Sequence, residues 1–238
     1  MLKISLIGYK GFVGSAIYKA LKQVSEKISV KGVDRNTPLA ESVEFADIVI
    51  HTANSPSRYK ATLDSGYDFD ESVLKTAKIV SLCHQYQKKL VLVSSISART
   101  ELNEPYGYNR KICESIGQTT DCMIFRLGYM FSRRLIYGAL GDIVADKPVY
   151  LNADSKYSFS DVEWNAEIIA KCVQRFSSGC IYELGASSGI TLAEIHELLG
   201  STAKFEGQRL DIQEAKGDIG FERPPIQNFI KYLNEIKK

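Results

Sequence analysis

Unbroken apolar strands alternating with amphipathic helices constrain this chain more than any other feature. Leu90–Ser94 reads LVLVS, Asp47–Thr52 reads DIVIHT, and Lys3–Ile7 is a short apolar run that ends at glycines. Phe12–Val24 places Val13, Ile17, Ala20, Leu21 and Val24 at helical spacing, and Asp68–Tyr86 does so with Val73, Leu74, Ala77, Val80 and Leu82. Ile28–Val33 and Cys122–Leu127 add strands, and Tyr106–Gly117 adds a helix. A strand that is apolar on both sides needs cover on both faces, as in a parallel sheet between helical layers. Right-handed crossovers then make that sheet doubly wound. The expected fold class is therefore α/β, a doubly wound parallel sheet of the Rossmann kind with a small C-terminal α/β unit.

The second half is more mixed. Leu135–Ala145 and Val162–Phe176 read as helices, Val149–Leu151 and Ile181–Leu184 as short strands. Leu192–Leu199 follows Thr191, an N-cap with Glu194 at the capping-box position, and Pro224–Ile236 is a last helix with proline at its start. The 238 residues suit one large domain, or one domain with an appendage. The expected division is a core over 1–130 and a reduced cap over 131–238, with segments that return to the core. Lys plus Arg number 30 and Asp plus Glu 28, a balance that argues against nucleic-acid or membrane-surface binding. No apolar run approaches a membrane span, and glycines interrupt the N-terminal apolar stretch before any signal-peptide pattern develops. The 5 cysteines are scattered without a CxxC pair, which fits a reducing cytoplasm, with Cys83, Cys113 and Cys172 as buried helix thiols. His51, His84 and His196 lack metal-binding spacing, so no metal is expected.

Gly8-Tyr-Lys-Gly11-Phe-Val-Gly14 lies between the first strand and the first helix. A dinucleotide needs a glycine with positive φ there, close backbone approach to its pyrophosphate, and free N–H groups at a helix start. A tight strand-to-helix turn alone also accounts for three glycines. Asp34 favours the ligand reading, because it ends the second strand 20 residues after Gly14, where a carboxylate accepts hydrogen bonds from a ribose. Such a carboxylate repels a 2′-phosphate and favours NAD, whereas the adjacent Arg35 suits NADP.

Ser94 and Ser95 end the LVLV strand, at the sheet edge where open α/β folds bind ligands. Tyr106 and Arg110 stand one helical turn apart and share a face. A free tyrosine has a pKa of about 10, and a neighbouring cation favours its phenolate. Tyr106 can then exchange a proton with a hydroxyl or carbonyl that Ser95 holds, while a nicotinamide exchanges hydride. In isolation, Tyr106 reads first as a packing aromatic, and one or both of Ser94 and Ser95 as a strand-end cap; the glycine loop, Ser95 and the cation one turn away reverse that reading.

Together these segments resemble the extended short-chain dehydrogenase/reductase family, in its NAD-dependent epimerase/dehydratase group of nucleotide-sugar enzymes. The resemblance runs through Gly8, Gly11 and Gly14, Asp34, the Asp47-x-x-x-His51-x-Ala53 segment, Ser94-Ser95, Tyr106, and Arg126-x-Gly128. It continues through Tyr157–Val162, Ile181–Gly185 and Thr191-Leu-x-Glu194. It implies cofactor contacts from Gly8, Lys10, Gly11, Phe12, Val13, Gly14, Asp34, Arg35, Thr52, Ala53, Ser94, Tyr106 and Arg110. Ser95, Tyr106 and Arg110 would be catalytic, and Ser95, Ser97, Tyr106 and Tyr129 would face the substrate.

The chain departs from the family in four places. Arg110 stands where the family has lysine, and an arginine cannot release a proton to a relay. Asp34 to Asp47 is too short for the usual helix and third strand, so the sheet should lack a strand there. Ser72 replaces an asparagine, and the second half is short. Ile96-Ser97-Ala98 lacks the Asp-Glu pair of the sugar 4,6-dehydratases, which argues against dehydration.

The resemblance implies NAD, or NADP, and a nucleotide-sugar substrate handled by an epimerase or ketoreductase, as in polysaccharide biosynthesis. It also implies a cytoplasmic homodimer through helices 68–86 and 106–117. Arg133, Arg134, Lys147 and Arg209 are candidates to meet a diphosphate and equally plain surface charges. The alternative is a weakly catalytic or non-catalytic NAD(P)-binding sensor or scaffold on the same fold.

Overall fold

A computed structural model describes residues 1–55, 58–132 and 136–236. The first half alternates β1 (Leu2–Ile7), α1 (Phe12–Val24), β2 (Ile28–Val33), α2 (Leu39–Phe45) and β3 (Ile48–His51). Then come α3 (Arg58–Leu63), α4 (Ser65–Phe69), a π-helical turn over Asp70–Leu74, α5 (Lys75–Tyr86) and β4 (Lys89–Ser95). α6 (Ser97–Thr100), α7 (Pro105–Gly117) and β5 (Cys122–Leu127) follow. The remainder is β6 (Met130–Phe131), α8 (Gly138–Val144), β7 (Lys156–Tyr157), β8 (Ser160–Asp161), α9 (Val162–Val173), β9 (Ile181–Leu184), β10 (Ile190–Thr191), α10 (Leu192–Leu199), β11 (Ile212–Gln213) and α11 (Ile226–Ile236).

The central sheet has 6 strands in the order β2-β1-β3-β4-β5-β9. β1 pairs in parallel with both β2 and β3, and β3 in parallel with β4. This is the α/β, Rossmann-like arrangement expected from the apolar strands. Leu90, Val91, Leu92 and Val93 are all buried, and each such side chain contributes about 1.5–3 kcal/mol on leaving water. Between β2 and β3 the chain makes only the short helix α2, so β2 is an edge and the strand expected to be missing there is missing.

The chain divides into two compact units. Unit 1 is Met1–Arg126 with Ala166–Tyr182, and unit 2 is Leu127–Asn165 with Glu183–Lys238. A core of unit 1 gathers Ile7, Val33, Val43, Val49, Ile79, Val80, Leu90, Leu92 and Ile124. The core of unit 2 is rich in rings: Phe131, Tyr157, Phe159, Phe229 and Tyr232 pack together, with Phe159 and Phe229 stacked at 4.0 Å. Small sheets β10-β7-β11 and β6-β8 complete unit 2. Among the described residues, no helix is long and apolar enough to cross a membrane.

Several boundaries differ from the sequence reading for local reasons. The Asp68–Tyr86 helix starts earlier, because Asp64 caps it by accepting the Tyr67 N–H at 2.8 Å. It also contains the π turn, which apolar periodicity does not reveal. Val149–Leu151 is not a strand, since Val149 makes a single bridge to Phe205. The Leu135–Ala145 helix spans Gly138–Val144, and Leu135 lies outside the described residues. Thr191 and Glu194 form both bonds of the expected capping box.

Candidate active site

Gly8 sits at φ +88, and a Cβ on it would meet Thr52 Oγ1 at 2.8 Å. A Cβ on Gly14 would come within 2.1 Å of the Gly8 carbonyl oxygen, so the first turn of α1 presses directly on the loop. Around Gly11 the space is more open, since the nearest contact for a Cβ is Gly8 O at 3.3 Å. α1 begins after Gly11 with no side-chain cap and no acid in its first turn. Its leading N–H groups and partial positive charge are thus left for an anion. Phe12 and Val13, half-buried, open that helix. These residues fit the pyrophosphate of a dinucleotide.

Asp34 lies just past β2 and is already engaged. Lys10 Nζ donates to its Oδ2 at 2.5 Å, and Thr37 Oγ1 and the Asn36 N–H donate to its Oδ1 at 2.9 and 3.0 Å. The Lys10 bond, then the Thr37 and Asn36 bonds, hold its pKa down at about 2. Arg35 beside it is exposed and reaches Glu71 at 3.4 Å. A ribose at Asp34 would share the carboxylate with Lys10, and Lys10 and Arg35 are the cations beside it.

At the end of β3, Thr52 Oγ1 donates to Ile7 O at 2.8 Å, joining β3 to the glycine loop. His51 is fully buried, and its Nδ1 accepts the Ala53 N–H at 3.2 Å. The ring proton is therefore on Nε2, which lies 3.1 Å from Thr76 Oγ1. Burial, and then the charges of Lys75 and Arg110, push the His51 pKa down to about 3. Ser72, on the π turn, accepts the Ser55 N–H at 3.2 Å.

Tyr106 and Arg110 share the expected face of α7, with the guanidinium 4.6 Å from the ring centroid. Proline at the first turn of α7 sets that helix start. Arg110 is only 3% exposed, and one of its Nη2 protons goes to the Ser55 carbonyl. Burial works against its charge, but Tyr106, Cys113 and Asp68 outweigh it and raise its pKa. Lys111 faces elsewhere, toward Glu114 at 3.8 Å.

Sequence reasoning missed Arg58, on α3. Its guanidinium lies 5.7 Å from the Tyr106 ring, so two cations flank this phenol. Arg58 also donates to Ser97 Oγ at 2.8 Å and pairs with Glu101 at 3.2 Å. Ser95 Oγ donates to Ser97 Oγ at 3.1 Å and accepts the Ser97 N–H at 3.2 Å. Ser95, Ser97, Arg58 and Tyr106 thus form one connected group. No periodicity or spacing in the sequence marks Arg58.

Ser94 does not join that group. Its hydroxyl donates to Glu114 Oε1 at 2.8 Å, and Arg126 holds Glu114 through two bonds of 2.8 and 2.7 Å. Tyr129 belongs to unit 2, where it stacks on Tyr137 at 5.3 Å and donates to the Tyr137 carbonyl. Lys147 and Arg209 are exposed in unit 2, and Arg133 and Arg134 lie outside the described residues.

Neither a family model nor a curated protein matches the chain. Solved structures do. A UDP-glucuronic acid 4-epimerase from Bacillus cereus, with UDP-glucuronic acid and NAD, matches at 15% identity and TM-score 0.81, over 99% of each chain. DesIV, a dTDP-glucose 4,6-dehydratase from Streptomyces venezuelae with NAD bound, matches at 14% and TM-score 0.82, over 98% of this chain and 97% of its own. RMD from Pseudomonas aeruginosa, complexed with NADPH, matches at 14% and TM-score 0.80, over 100% and 99%. Likeness at this identity speaks for architecture, and it agrees with the strand order and the glycine turn: the chain has the fold of these solved structures.

Proposed function

We propose that this chain is an NAD(P)-dependent enzyme that acts on a nucleotide-linked sugar, and that its reaction is an epimerisation. The observation that carries the reading is the connected group of Ser95, Ser97, Arg58 and Tyr106, with Arg110 behind the phenol. Solved structures of the same fold hold NAD with UDP-glucuronic acid, or NADPH. The glycine turn and Asp34 would hold the adenosine end of the cofactor, and Tyr106 and Arg110 the nicotinamide end. When bound, the nicotinamide supplies an acceptor and donor of hydride.

The chain's own residues handle the proton. Ser95 Oγ holds the reacting sugar oxygen, C4 by the family resemblance. Tyr106 Oη takes the hydroxyl proton as the sugar is oxidised and returns it as the ketone is reduced. The Arg58 and Arg110 guanidiniums lie 5.7 and 4.6 Å from the ring that carries this proton.

Arg110 favours epimerase over ketoreductase. A ketoreductase consumes a proton in every turnover, so its tyrosine must be recharged from solvent. An arginine does not give up its proton, and Arg110 is buried. An epimerase returns to the sugar the proton it removed, and needs no such supply.

One observation favours the sensor or scaffold alternative: Arg110 is turned onto the Ser55 carbonyl. Turnover distinguishes the two readings. Tyr106→Phe is expected to bind NADH as the wild type does and to lose epimerisation of UDP-sugars by about 100-fold or more, followed by NMR. A fully active Tyr106→Phe enzyme would remove the assigned role. We also propose a homodimer through helices 68–86 and 106–117, supported by exposed Phe69, Leu74 and Tyr108 on these elements.

A further inference from the structure

Asp68, on α4, is fully buried, and no step described above uses it. Its Oδ2 accepts the Asn109 Nδ2–H at 2.7 Å, and Asn109 immediately precedes Arg110 on α7. Its Oδ1 has no hydrogen-bond partner among the described residues, and neither has Nη1 of Arg110. Buried charges are rarely left unbalanced. The groups that touch Arg110 are the Ser55 carbonyl, which carries no charge, and the Tyr106 ring. Glu114, the other buried acid near it on α7, is already held by both nitrogens of the Arg126 fork. Asp68 is the carboxylate that remains.

We propose that Asp68 is the buried counter-charge of Arg110 and a positioning residue. Through Asn109 and through its own field it holds the guanidinium against the Ser55 carbonyl and the Tyr106 ring. The same field helps keep Arg110 protonated. This explains how an arginine is accommodated at a position where the resembling family has lysine. Lysine carries one compact charge, whereas a buried guanidinium has five donors to orient.

Two measurements test this. The first needs no cofactor: thermal unfolding of the wild type, Asp68→Asn, Arg110→Met and the double variant. Removing one member of a buried pair strands the other, so each single change is expected to lower Tm more than the double change does relative to its better parent. Strictly additive losses would overturn the pairing. Should Asp68→Asn fail to fold alone, recovery of folding in the double variant supports the pair, and an equally unfolded double variant overturns it.

The second measurement rests on the reading that Arg110 binds the nicotinamide side of the cofactor. Asp68→Asn is expected to weaken NADH binding by about tenfold while leaving ADP binding unchanged, because ADP lacks the part Arg110 would hold. An unchanged NADH affinity in a folded Asp68→Asn protein overturns the positioning role. If the wild type binds no NADH, the functional reading fails, and the unfolding cycle still decides the pair.

Discussion

His51 is a sensitive reporter of the buried polar layer behind the site. Its pKa falls from an ordinary 6.5 to about 3 in the folded chain, because burial disfavours the imidazolium. The unfolded chain binds a proton below pH 6.5 and the folded one does not. Stability from this group is therefore complete above pH 6.5 and declines as pH falls toward 3. The slope is about 1.4 kcal/mol per pH unit. Urea unfolding at several pH values should find this slope in the wild type and a flatter one in His51→Gln. Equal slopes would place the ring in water. At this scale the sequence was partly legible. Tyr106 and Arg110 could be paired from helical spacing, and Ser95 from its strand end. Arg58 could not, because its contacts to Tyr106 and Ser97 are made by folding and leave no local pattern. Nor could the Lys10 bond to Asp34, which joins residues 24 apart in sequence.

At the scale of elements, strands and helices that carry a clear apolar period were readable, and departures from period were not. The π turn over Asp70–Leu74 inserts its change of register into a helix whose apolar pattern runs on through it. That register puts Ser72 Oγ at the Ser55 N–H, and Thr76 Oγ1 near His51 Nε2. The junction of β1 and α1 is tighter still. Gly14→Ala would set a methyl 2.1 Å from Gly8 O, a backbone atom that cannot turn aside. The expected loss is about 1–3 kcal/mol of stability, together with loss of NADH binding, measured by urea unfolding and fluorescence titration. A variant that unfolds and binds as the wild type does would contradict the close approach. The sequence gap between Asp34 and Asp47 was a dependable guide, because a strand and its crossover cannot fit in it. The edge position of β2 follows from that shortage.

For the whole molecule, chain length had a plain structural meaning at the sheet edge and a less direct one in the second half. Unit 2 is stabilised by clustered aromatic rings from distant segments, such as Phe131 with Phe229 and Tyr232. Short strands such as β7 and β11 have 2 residues each, too few to show a period. In unit 1, exposed Leu74 and Tyr108 lie on the proposed dimer elements. Leu74→Asp with Tyr108→Asp is expected to shift sedimentation from dimer to monomer without loss of helix content. A wild-type monomer at micromolar concentration would remove that assembly.

The central claim is that the glycine turn and the Ser95–Tyr106 group share one pyridine nucleotide. Its most direct measurement is a titration of the purified protein with NADH and with NADPH, followed by cofactor fluorescence. Saturable binding of one cofactor per chain is expected, abolished by Gly14→Ala and preserved in Tyr106→Phe. Lys10→Ala is expected to weaken NADPH more than NADH, since Lys10, bonded to Asp34, would flank the 2′-phosphate of a nucleotide held there. Absence of saturable binding of either nucleotide to the folded wild type would contradict it.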